Sequence, residues 1–507
     1  MRKTLVTLAL AAVPALIFSA CNGSAGGGSG MSPSAPNAAP QYGRVHRADN
    51  GPSSLHAGGA TFPAYAYNFG AQPVGSYNQT QEAPPPGSLF YSYGGTGTIY
   101  YCLTGSGFGR KDFTGQSITS TDPCAALGQS ATGFGGRTDP LDFIGSDVPL
   151  FSAAYTSEPD CCNAGTEYYE HRLCDGNASC SPALGQPFEI PTIGGPIVYP
   201  YQTADDDLPP VSNPGTINLS QWTYCAIANG TVTSWDDPAI TADNGGNSVT
   251  GGISEQITFY YRTDGSGTSY WFQNHLTAAC NGSWSAPYNA APYQSGSRTA
   301  AWTGGVSLSW GGLTTCNPLP AACFEGASGN PGIIAGIQAT PWSTGYAEGA
   351  WAAAATGTPI SQAILQNQNG ETAGGGGFES PTDASAVSAG LSGVTAAHIE
   401  YGEGADGNPL ESTEPYCQLV IDPSDFQNPT GSGAYPIVAI SYWLFYQYPP
   451  AHLTDQETLV KFLASKKGNN VIDKIQEYQP LPTGIHTAIL GALKGNKKQK
   501  HNACLTT

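Results

Sequence analysis

The chain has 507 residues, of which 40% are hydrophobic and 11% are charged, and its formal net charge is −19. This length predicts two or more domains or lobes, because a single hydrophobic core rarely grows beyond about 250–300 residues. The acidity argues against nucleic acid and anionic membrane surfaces as partners, since both require basic patches on the protein.

The first twenty residues have the pattern of an export signal. Arg2 and Lys3 precede an apolar run of about 14 residues, which is shorter than the ~20 residues that a membrane-spanning helix needs. The run ends in IFSAC, which resembles the end of a bacterial lipoprotein signal. We therefore expect a signal peptide over residues 1–20 and a lipid on Cys21, which holds the exported protein on the outer face of a bacterial membrane. The alternative is simple secretion with Cys21 left in a tail.

Cysteine usage agrees with export. The chain has 13 cysteines, so an even number remains for disulfides once Cys21 is set aside, as is typical of an oxidising compartment. One cluster could instead be interpreted as a zinc site: Cys161, Cys162, His171, Cys174 and Cys180. Its spacing fits no standard zinc finger and exported cysteines are usually paired. We expect disulfides there, and neither a metal nor a cofactor in the protein.

The folded body is expected to begin near residue 55. Residues 21–54 are rich in Gly, Ser, Pro and Ala without an apolar period, which is typical of a flexible tether. Short runs with strand character then alternate with turns, over residues 88–95, 141–147, 188–201, 256–267 and 435–446. Helical patterns cover residues 330–341 and 455–478, the second with acidic residues early and lysines late, as the helix dipole favours. Strands interleaved with helices predict an α/β architecture.

Four segments rich in Gly, Cys, Ser and Asn interrupt this pattern. They cover residues 102–138, 156–186, 280–330 and 366–400. We expect them to be surface insertions pinned by disulfides. The basic, polar C-terminus is expected to be a solvated tail that Cys504 ties down.

The stretch RTDGSGTSYW, which begins at Arg262, is the first candidate binding site. Between residues 198 and 432 the only lysine or arginine besides Arg262 is Arg298. A turn of small residues leading into a helix exposes backbone N–H groups and the positive end of the helix dipole, which together form an anion site. Arg262 adds a planar cation suited to a tetrahedral oxyanion. On its own, however, such a stretch is more often a turn with a surface ion pair.

Four other stretches favour the anion site. They are HAGGATFPAYAY, YSYGGTGTIYY, DFIGSDVPL and CAIANGTVTSWDDPAI, which begin at residues 56, 91, 142 and 225. The first two are interpreted as Gly-rich turns carrying Thr61 and Thr96, and the third places Asp147 after a strand-like run. In order and spacing, and most specifically in GATFP, GSDVPL and RTDGSGT, the chain resembles the phosphate-binding proteins of bacterial phosphate ABC importers.

The resemblance implies a two-lobed α/β fold of the type II periplasmic-binding-protein-like class, with a mixed β-sheet flanked by helices in each lobe and disulfide-rich loops as insertions. Residues 55–197 would begin the first lobe, residues 198–432 would form the second, and residues 433–507 would return to the first. The ligand would lie in the cleft between the lobes, whose closure presents it to a permease. The implied protein is a monomeric receptor for inorganic phosphate and is not an enzyme.

The resemblance also implies the ligands of the phosphate. They are Thr61, the Phe62 N–H, Thr96 and Asp147 from the first lobe, and Arg262, Ser266, Gly267 and Thr268 from the second. Thr96 would take the place of the serine in the family's GSSGG motif. Asp264 would orient the guanidinium of Arg262, and no residue is expected to be catalytic.

Asp147 is the expected selectivity residue. A carboxylate that faces an anion is acceptable when the ligand brings its own proton, as monohydrogen and dihydrogen phosphate do at neutral pH and sulfate does not. A site built around such a hydrogen bond can reject an analogue that lacks it by about 10⁴-fold or more, because one acceptor would then face another. The structural alternative for Asp147 is helix capping, which is compatible with this role.

Three other functions remain open from the sequence. A phosphoester hydrolase lacks support from a Gly-x-Ser-x-Gly or His-Glu-x-x-His motif. A binder of carbohydrate or surface partners would use the 9 tryptophans and 27 tyrosines, although aromatic residues more often lie in cores. The third is the same fold adapted to another oxyanion, such as sulfate or molybdate, against which Asp147 argues.

Overall fold

The structure is a computed structural model. It describes residues 55–70, 84–113, 141–151, 186–202, 216–357, 360–410, 414–449, 451–475, 477–495 and 501–506. The expected signal peptide, Cys21, the tether and the cysteine cluster at residues 161–180 lie outside the described residues.

The strands are numbered in chain order. They are β1 Leu55–Gly59, β2 Ile99–Leu103, β3 Phe143–Ser146, β4 Pro187–Val198, β5 Pro200–Tyr201, β6 Asn218–Leu219, β7 Thr258–Arg262, β8 Cys323–Ala327, β9 Ser343–Gly345, β10 Ala347–Glu348, β11 Ser361–Gln362, β12 Ile364–Gln366, β13 Phe378–Glu379, β14 Ile399–Tyr401, β15 Leu419–Ile421, β16 Val438–Tyr446 and β17 Gln479–Pro480.

The α-helices are numbered in the same way. They are α1 Ala64–Asn68, α2 Leu89–Ser92, α3 Ser106–Phe113, α4 Gln221–Ala228, α5 Pro238–Asp243, α6 Gly267–Cys280, α7 Gly329–Ala339, α8 Gly349–Ala353, α9 Gln368–Thr372, α10 Ala384–Gly390, α11 Leu453–Leu463, α12 Lys466–Ile472 and α13 Thr483–Lys494. Among the described residues, no helix combines the length and the apolar character that crossing a membrane requires.

The first sheet has the strand order β10-β4-β16-β3-β1-β2, with β17 added beside β4. Strand β16 at its centre is buried at every position, as expected of a strand covered on both faces. β1 is parallel to both β2 and β3, and the register places Gly59 beside Leu103 and Gly145. These three strands therefore end at one edge. Gly59 has a φ of 121°, and a Cβ there would collide with the carbonyl oxygen of Gly145, so only glycine fits.

The second sheet has the order β11-β5-β9-β7-β8. β7 is parallel to β8 and β9, and Arg262 at the end of β7 lies beside Ala327 at the end of β8. β4 of the first sheet ends at Val198 and β5 of the second begins at Pro200, so the chain passes from one sheet to the other through Tyr199. The predicted two-lobed α/β architecture is confirmed.

Several local predictions were wrong. Residues 88–95, expected to be a strand, contain helix α2, because the Ser88 hydroxyl caps it by accepting a hydrogen bond from the Tyr91 N–H. The long C-terminal helical pattern is two helices, since Ser465 accepts from the Gly468 N–H and begins α12. The proposed insertions were drawn too wide. The first includes the end of β2 and α3, the third includes β8, and the fourth includes α9 and α10.

Three disulfides lie within the described residues. Cys225 in α4 is bonded to Cys280 at the end of α6, and Cys316 is bonded to Cys323. Cys417 is bonded to Cys504 across 87 positions of sequence. The expectation that Cys504 ties down the C-terminus is therefore confirmed.

Candidate functional site

The candidate site lies where the carboxyl ends of parallel strands from the two sheets meet. In the first lobe, Thr61 follows β1, Ser106 follows β2 and Asp147 follows β3. In open α/β sheets, ligands bind beyond the carboxyl ends of strands, where loops and helix N-termini converge. The shared edge of β1, β2 and β3 thus brings the three polar side chains to one place, and all three are buried.

The second lobe presents two helix N-termini to this edge. Helix α6 begins directly after the turn that follows β7, and α7 begins after β8. The first N–H groups of a helix have no partner within the helix and carry the positive end of its dipole. Gly267 and Thr268 are the first two residues of α6, and the Ser266 hydroxyl caps this helix by accepting from the Ser269 N–H at 3.1 Å. The backbone at this end can therefore donate to an anion.

Arg262 and Asp264 form a buried ion pair. Arg262 Nε donates to Asp264 Oδ1 at 2.7 Å, and a second guanidinium nitrogen donates to Asp264 Oδ2. The Arg262 side chain is 1% exposed and that of Asp264 is 6% exposed. Burial acts to lower the pKa of Arg262, but the charge and hydrogen bonds of Asp264, together with Tyr346 and Asp147, outweigh it and the pKa lies above its ordinary value. Asp264 also accepts from the Gly329 N–H at 2.9 Å, which fixes the pair against α7.

Asp147 is a buried carboxyl with one oxygen unused. Ser106 Oγ donates to Asp147 Oδ2 at 3.3 Å and also lies 3.1 Å from the Asp147 backbone nitrogen. Asp147 Oδ1 has no hydrogen-bond partner among the described residues. Burial raises the pKa of Asp147 to about 7, against the lowering effects of the nearby Ser441 hydroxyl, the Arg262 charge and the Ser106 hydroxyl. The side chain can accept or donate a proton near neutral pH.

Contacts between the lobes close over this site. The Gly107 N–H in the first lobe donates to the carbonyl oxygen of Gly265 in the second at 2.8 Å. Trp271 Nε1 in α6 donates to the carbonyl oxygen of Asp147. Trp351 Nε1 in α8 donates to the carbonyl oxygen of Thr61 at 2.8 Å. These contacts join the two lobes beside Thr61, Ser106 and Asp147, whose side chains are buried.

Most of the residues predicted from sequence lie in this cluster. Thr61 Oγ1 lies 3.2 Å from Asn330 Nδ2, and Arg262 NH1 donates to Thr268 Oγ1 at 3.4 Å. Phe62 is fully buried beside Thr61, and its carbonyl oxygen accepts from the Tyr478 hydroxyl at 2.6 Å. The structure thus brings together Thr61, Phe62, Asp147, Arg262, Asp264, Ser266, Gly267 and Thr268.

Thr96 lies elsewhere. It is exposed, its N–H donates to Asp455 Oδ1 at 3.0 Å, and its hydroxyl donates to the same carboxylate. The physical reason is topological: Thr96 precedes β2, whereas the site lies at the carboxyl ends of these parallel strands. The expectation that this Gly-rich turn carries a ligand of the site was wrong, because strand β2 follows the turn.

Two polar residues of the cluster were missed from the sequence. Ser106 sits in TGSGFG, which follows β2 and begins α3, but this segment was assigned to an insertion. A Gly-Ser-Gly run directly after an apolar strand was the available signal. Asn330 is the second residue of α7 and is fully buried. It follows the short motif SG after β8, and nothing in that spacing distinguishes it from a helix cap.

The described residues contain one group of potential metal ligands, Cys316, Cys323 and Glu325. Its two cysteines form a disulfide, so they cannot supply the thiolates that a metal requires. This group therefore does not indicate a metal centre.

Comparisons with known proteins agree with this geometry. Residues 104–467 match the family model of the PBP superfamily domain. The phosphate-binding protein PstS2 of Mycobacterium bovis is 28% identical over 355 residues, which cover 69% of this chain and 73% of the relative. The phosphate-binding protein PstS of Haemophilus influenzae is 26% identical over 57% of this chain and 69% of its own length.

Solved structures give the same fold. The crystal structure of a phosphate-binding protein from Stenotrophomonas maltophilia superposes with a TM-score of 0.52 at 18% identity, covering 87% of this chain and 94% of that protein. A high-affinity periplasmic phosphate-binding protein solved with phosphate has a TM-score of 0.51 at 20% identity, covering 88% and 95% of the two chains. The resemblance seen in the sequence is thereby confirmed, and the chain belongs to the PBP superfamily, with its type II periplasmic-binding-protein-like fold.

Proposed function

We propose that this chain is an extracytoplasmic receptor that binds inorganic phosphate between its two lobes and delivers it to an ABC importer. The curated relatives named above are phosphate-binding proteins. The observation that carries the proposal is the buried Asp147 carboxyl, which has one oxygen without a partner among the described residues and lies against the N-terminus of α6.

The donor set suits a tetrahedral oxyanion. Arg262 supplies a guanidinium that Asp264 holds in place, and α6 supplies backbone N–H groups beside the hydroxyls of Ser266 and Thr268. The first lobe adds the Thr61 hydroxyl and the Phe62 N–H. Hydrogen bonds to a charged group each contribute about 1.5–3 kcal/mol, so a few of them in a closed cleft are enough for micromolar binding or better. The negative net charge of the whole chain does not prevent anion binding, because the hydrogen-bond donors around the site determine the affinity.

Asp147 supplies the selectivity in this proposal. Its carboxylate accepts the proton of monohydrogen or dihydrogen phosphate, while the donors around it bind the other oxygens. Sulfate at neutral pH offers no such proton and would leave the buried acceptor of Asp147 facing an acceptor, which costs the desolvation energy of an unpaired group. In this proposal Thr96 is not a ligand, and Ser106, which donates to Asp147 Oδ2 at 3.3 Å, orients that carboxyl.

Binding is favoured over hydrolysis of a phosphoester. The Ser266 hydroxyl, which belongs to the nearest serine to Arg262 in sequence, caps α6. In the part of the chain that the structure describes, no histidine forms a hydrogen bond with Ser266. A nucleophilic serine needs an adjacent general base.

The location and assembly of the receptor are part of the same proposal. Residues 1–20 direct export, Cys21 carries the lipid, and residues 21–54 tether the body, which places a monomer at the membrane surface beside the permease. The chain forms the first lobe with residues 55–197 and 433–507 and the second with residues 198–432. Replacement of Cys21 by serine should release the protein from membrane fractions, since the lipid is then absent. Retention of the Cys21→Ser variant on membranes would contradict this part.

Calorimetric titration of the mature chain with phosphate and, separately, with sulfate tests the function. We expect tight binding of phosphate, no heat with sulfate at pH 8, and altered selectivity in Asp147→Asn. The matched control is Asp243→Asn, a partly buried aspartate that accepts from the Ser220 N–H and the Tyr293 hydroxyl away from the site. The control should bind phosphate as the wild type does. Absence of heat with both anions would refute the proposal, and tight sulfate binding at pH 8 would indicate a receptor for another oxyanion.

A further inference from the structure

Asn330 contacts site residues of both lobes at once. Its backbone N–H lies 3.3 Å from Thr61 Oγ1 and its side-chain Nδ2 lies 3.2 Å from the same oxygen. Nδ2 also lies 3.5 Å from Thr268 Oγ1. Thr61 belongs to the first lobe, whereas Asn330 and Thr268 belong to the second.

The orientation of this amide is fixed by a backbone group. Asn330 Oδ1 accepts a hydrogen bond from the Glu348 N–H at 3.1 Å. A backbone N–H can only donate, so the oxygen must face Glu348 and the NH₂ group must face the two threonines. The amide cannot flip without leaving the buried Glu348 N–H opposite another donor.

Both threonine hydroxyls are consequently filled as acceptors. A hydroxyl oxygen has two lone pairs and one proton. Thr61 Oγ1 receives the backbone and side-chain N–H groups of Asn330, and Thr268 Oγ1 receives Asn330 Nδ2 and Arg262 NH1, the latter at 3.4 Å. Neither hydroxyl donates to any atom of the described residues. Each proton is therefore left to donate to a further acceptor.

We propose that Asn330 is a positioning residue that makes the hydroxyls of Thr61 and Thr268 obligate hydrogen-bond donors. The inference rests on the proposed phosphate site and deepens it. With these two hydroxyls restricted to donation, Asp147 is left as the acceptor among the side chains of the site. The site then fits an oxyanion that has one protonated oxygen and acceptors elsewhere.

A double-mutant cycle tests this role. Removing the Asn330 side chain frees each hydroxyl to rotate, so Asn330→Ala should weaken phosphate binding about 10- to 100-fold, the loss expected for two hydrogen bonds. In a Thr61→Val/Thr268→Val background, where no hydroxyl is left to orient, the same Asn330→Ala change should cost less than threefold. In such a cycle, the changes in binding free energy are non-additive when one residue acts through another and additive when the residues are independent.

Controls separate this role from a merely structural one. Thr61→Ser/Thr268→Ser keeps both hydroxyls and should retain the full effect of Asn330→Ala. Asn367 is another fully buried asparagine at a helix N-terminus, where it accepts from the Gly370 N–H and donates to the Ala434 carbonyl oxygen. Asn367→Ala should lower the melting temperature and leave phosphate affinity unchanged. Should Asn330→Ala not fold, Asn330→Ser enters the same cycle, because serine is smaller and cannot reach both threonines.

The outcomes test the positioning role of Asn330 separately from the proposed phosphate-binding function. A wild-type chain without phosphate affinity would refute the function itself. If the wild type binds phosphate but Asn330→Ala lowers phosphate affinity equally in the threonine and valine backgrounds, only the positioning role is overturned.

Discussion

Gly267 of the second lobe lies directly against Asp147 of the first. A methyl group at Gly267 would come within 2.9 Å of Ser106 Oγ and 3.0 Å of Asp147 Cα, and closer still to Asp147 Cβ. Real Cβ atoms essentially never approach other atoms this closely. The absence of a side chain at the first residue of α6 is thus a condition for bringing that helix N-terminus to the Asp147 carboxyl.

Gly267→Ala should therefore prevent full closure. We expect phosphate affinity to fall at least tenfold while the melting temperature of the unliganded chain is unchanged or higher, because alanine in place of glycine lowers the entropy of the unfolded chain by about 0.4–1 kcal/mol where the backbone allows it. Calorimetric titration and thermal unfolding measure the two effects. Gly491→Ala in α13, where the added methyl meets open space, is the matched control. Unchanged phosphate affinity in Gly267→Ala would show that closure does not need this contact.

How far the sequence predicted the site depends on the kind of signal each residue carries. Arg262, Asp264, Ser266, Gly267 and Thr268 were predictable because they are contiguous and share one turn. Asp147 was predictable because it ends a strand-like run. The assignment of Thr96 failed for a topological reason: a hydroxyl before a parallel strand and one after it look alike in sequence but lie at opposite edges of the sheet.

Asn330 illustrates the remaining limit. Its contacts are with Thr61, which is 269 positions away, and with Thr268, which is 62 positions away. No local period or turn motif encodes such pairs, because they depend on how the lobes meet. The α/β class was predictable from alternating elements, and a sheet in each lobe was implied by the family resemblance. The break between α11 and α12 depends on the capping Ser465, which the helical period does not reveal.

The pKa of Asp147 makes anion selectivity dependent on pH. Because burial raises the pKa of this carboxyl to about 7, it carries a proton below pH 7 and can then donate to the unprotonated oxygen of sulfate. Above pH 7 the competent form is depleted, so sulfate affinity should fall about tenfold for each further pH unit. Phosphate brings its own proton and should be much less sensitive between pH 6 and pH 8.

Competition titrations with sulfate from pH 5.5 to pH 8.5 measure this dependence. Asp147→Asn is the control, since its amide donates at every pH and should make sulfate binding independent of pH. A wild-type sulfate affinity that stays constant over this range would contradict the assignment of the proton to Asp147.

The ion pair between Arg262 and Asp264 should be essential for stability. Asp264→Ala leaves the buried guanidinium without its counter-charge, and removal of one partner of a buried pair typically costs about 3–5 kcal/mol. The exposed pair between Lys461 and Glu457 in α11 provides the contrast, because Lys461→Gln should cost at most about 1 kcal/mol. Denaturant unfolding of the two variants at neutral pH measures both. Equal and small losses would show that Arg262 is stabilised by other groups.

A buried carboxyl pair lies at a second contact between the lobes. Glu348, which ends β10, accepts from the Ala350 N–H at 2.8 Å, and its Oε2 lies 3.0 Å from the Tyr478 hydroxyl, which donates to the Phe62 carbonyl oxygen. Glu477 accepts from Gln362 Nε2 at 3.0 Å, and its other oxygen has no partner among the described residues. Burial raises the pKa of Glu477 to about 7. Burial, together with the charge of Glu477, raises that of Glu348 well above its ordinary value.

These raised pKa values predict that the protein loses stability as the pH increases. A carboxyl whose pKa is higher in the folded state binds more protons there than in the unfolded chain. Its contribution to the free energy of unfolding is therefore fully present below the pKa of the unfolded state. That contribution is lost as the pH rises through the pKa of the folded state. For Glu477, a change from 4.5 to about 7 corresponds to a loss of about 3 kcal/mol between pH 5 and pH 8. Glu477→Gln stays neutral, and its free energy of unfolding should decline less over this range by about that amount. Denaturant unfolding at several pH values measures the difference, with the exposed Glu325→Gln as control. If the wild-type and Glu477→Gln curves run parallel while the control matches the wild type, the proton on Glu477 does not contribute to holding the lobes together.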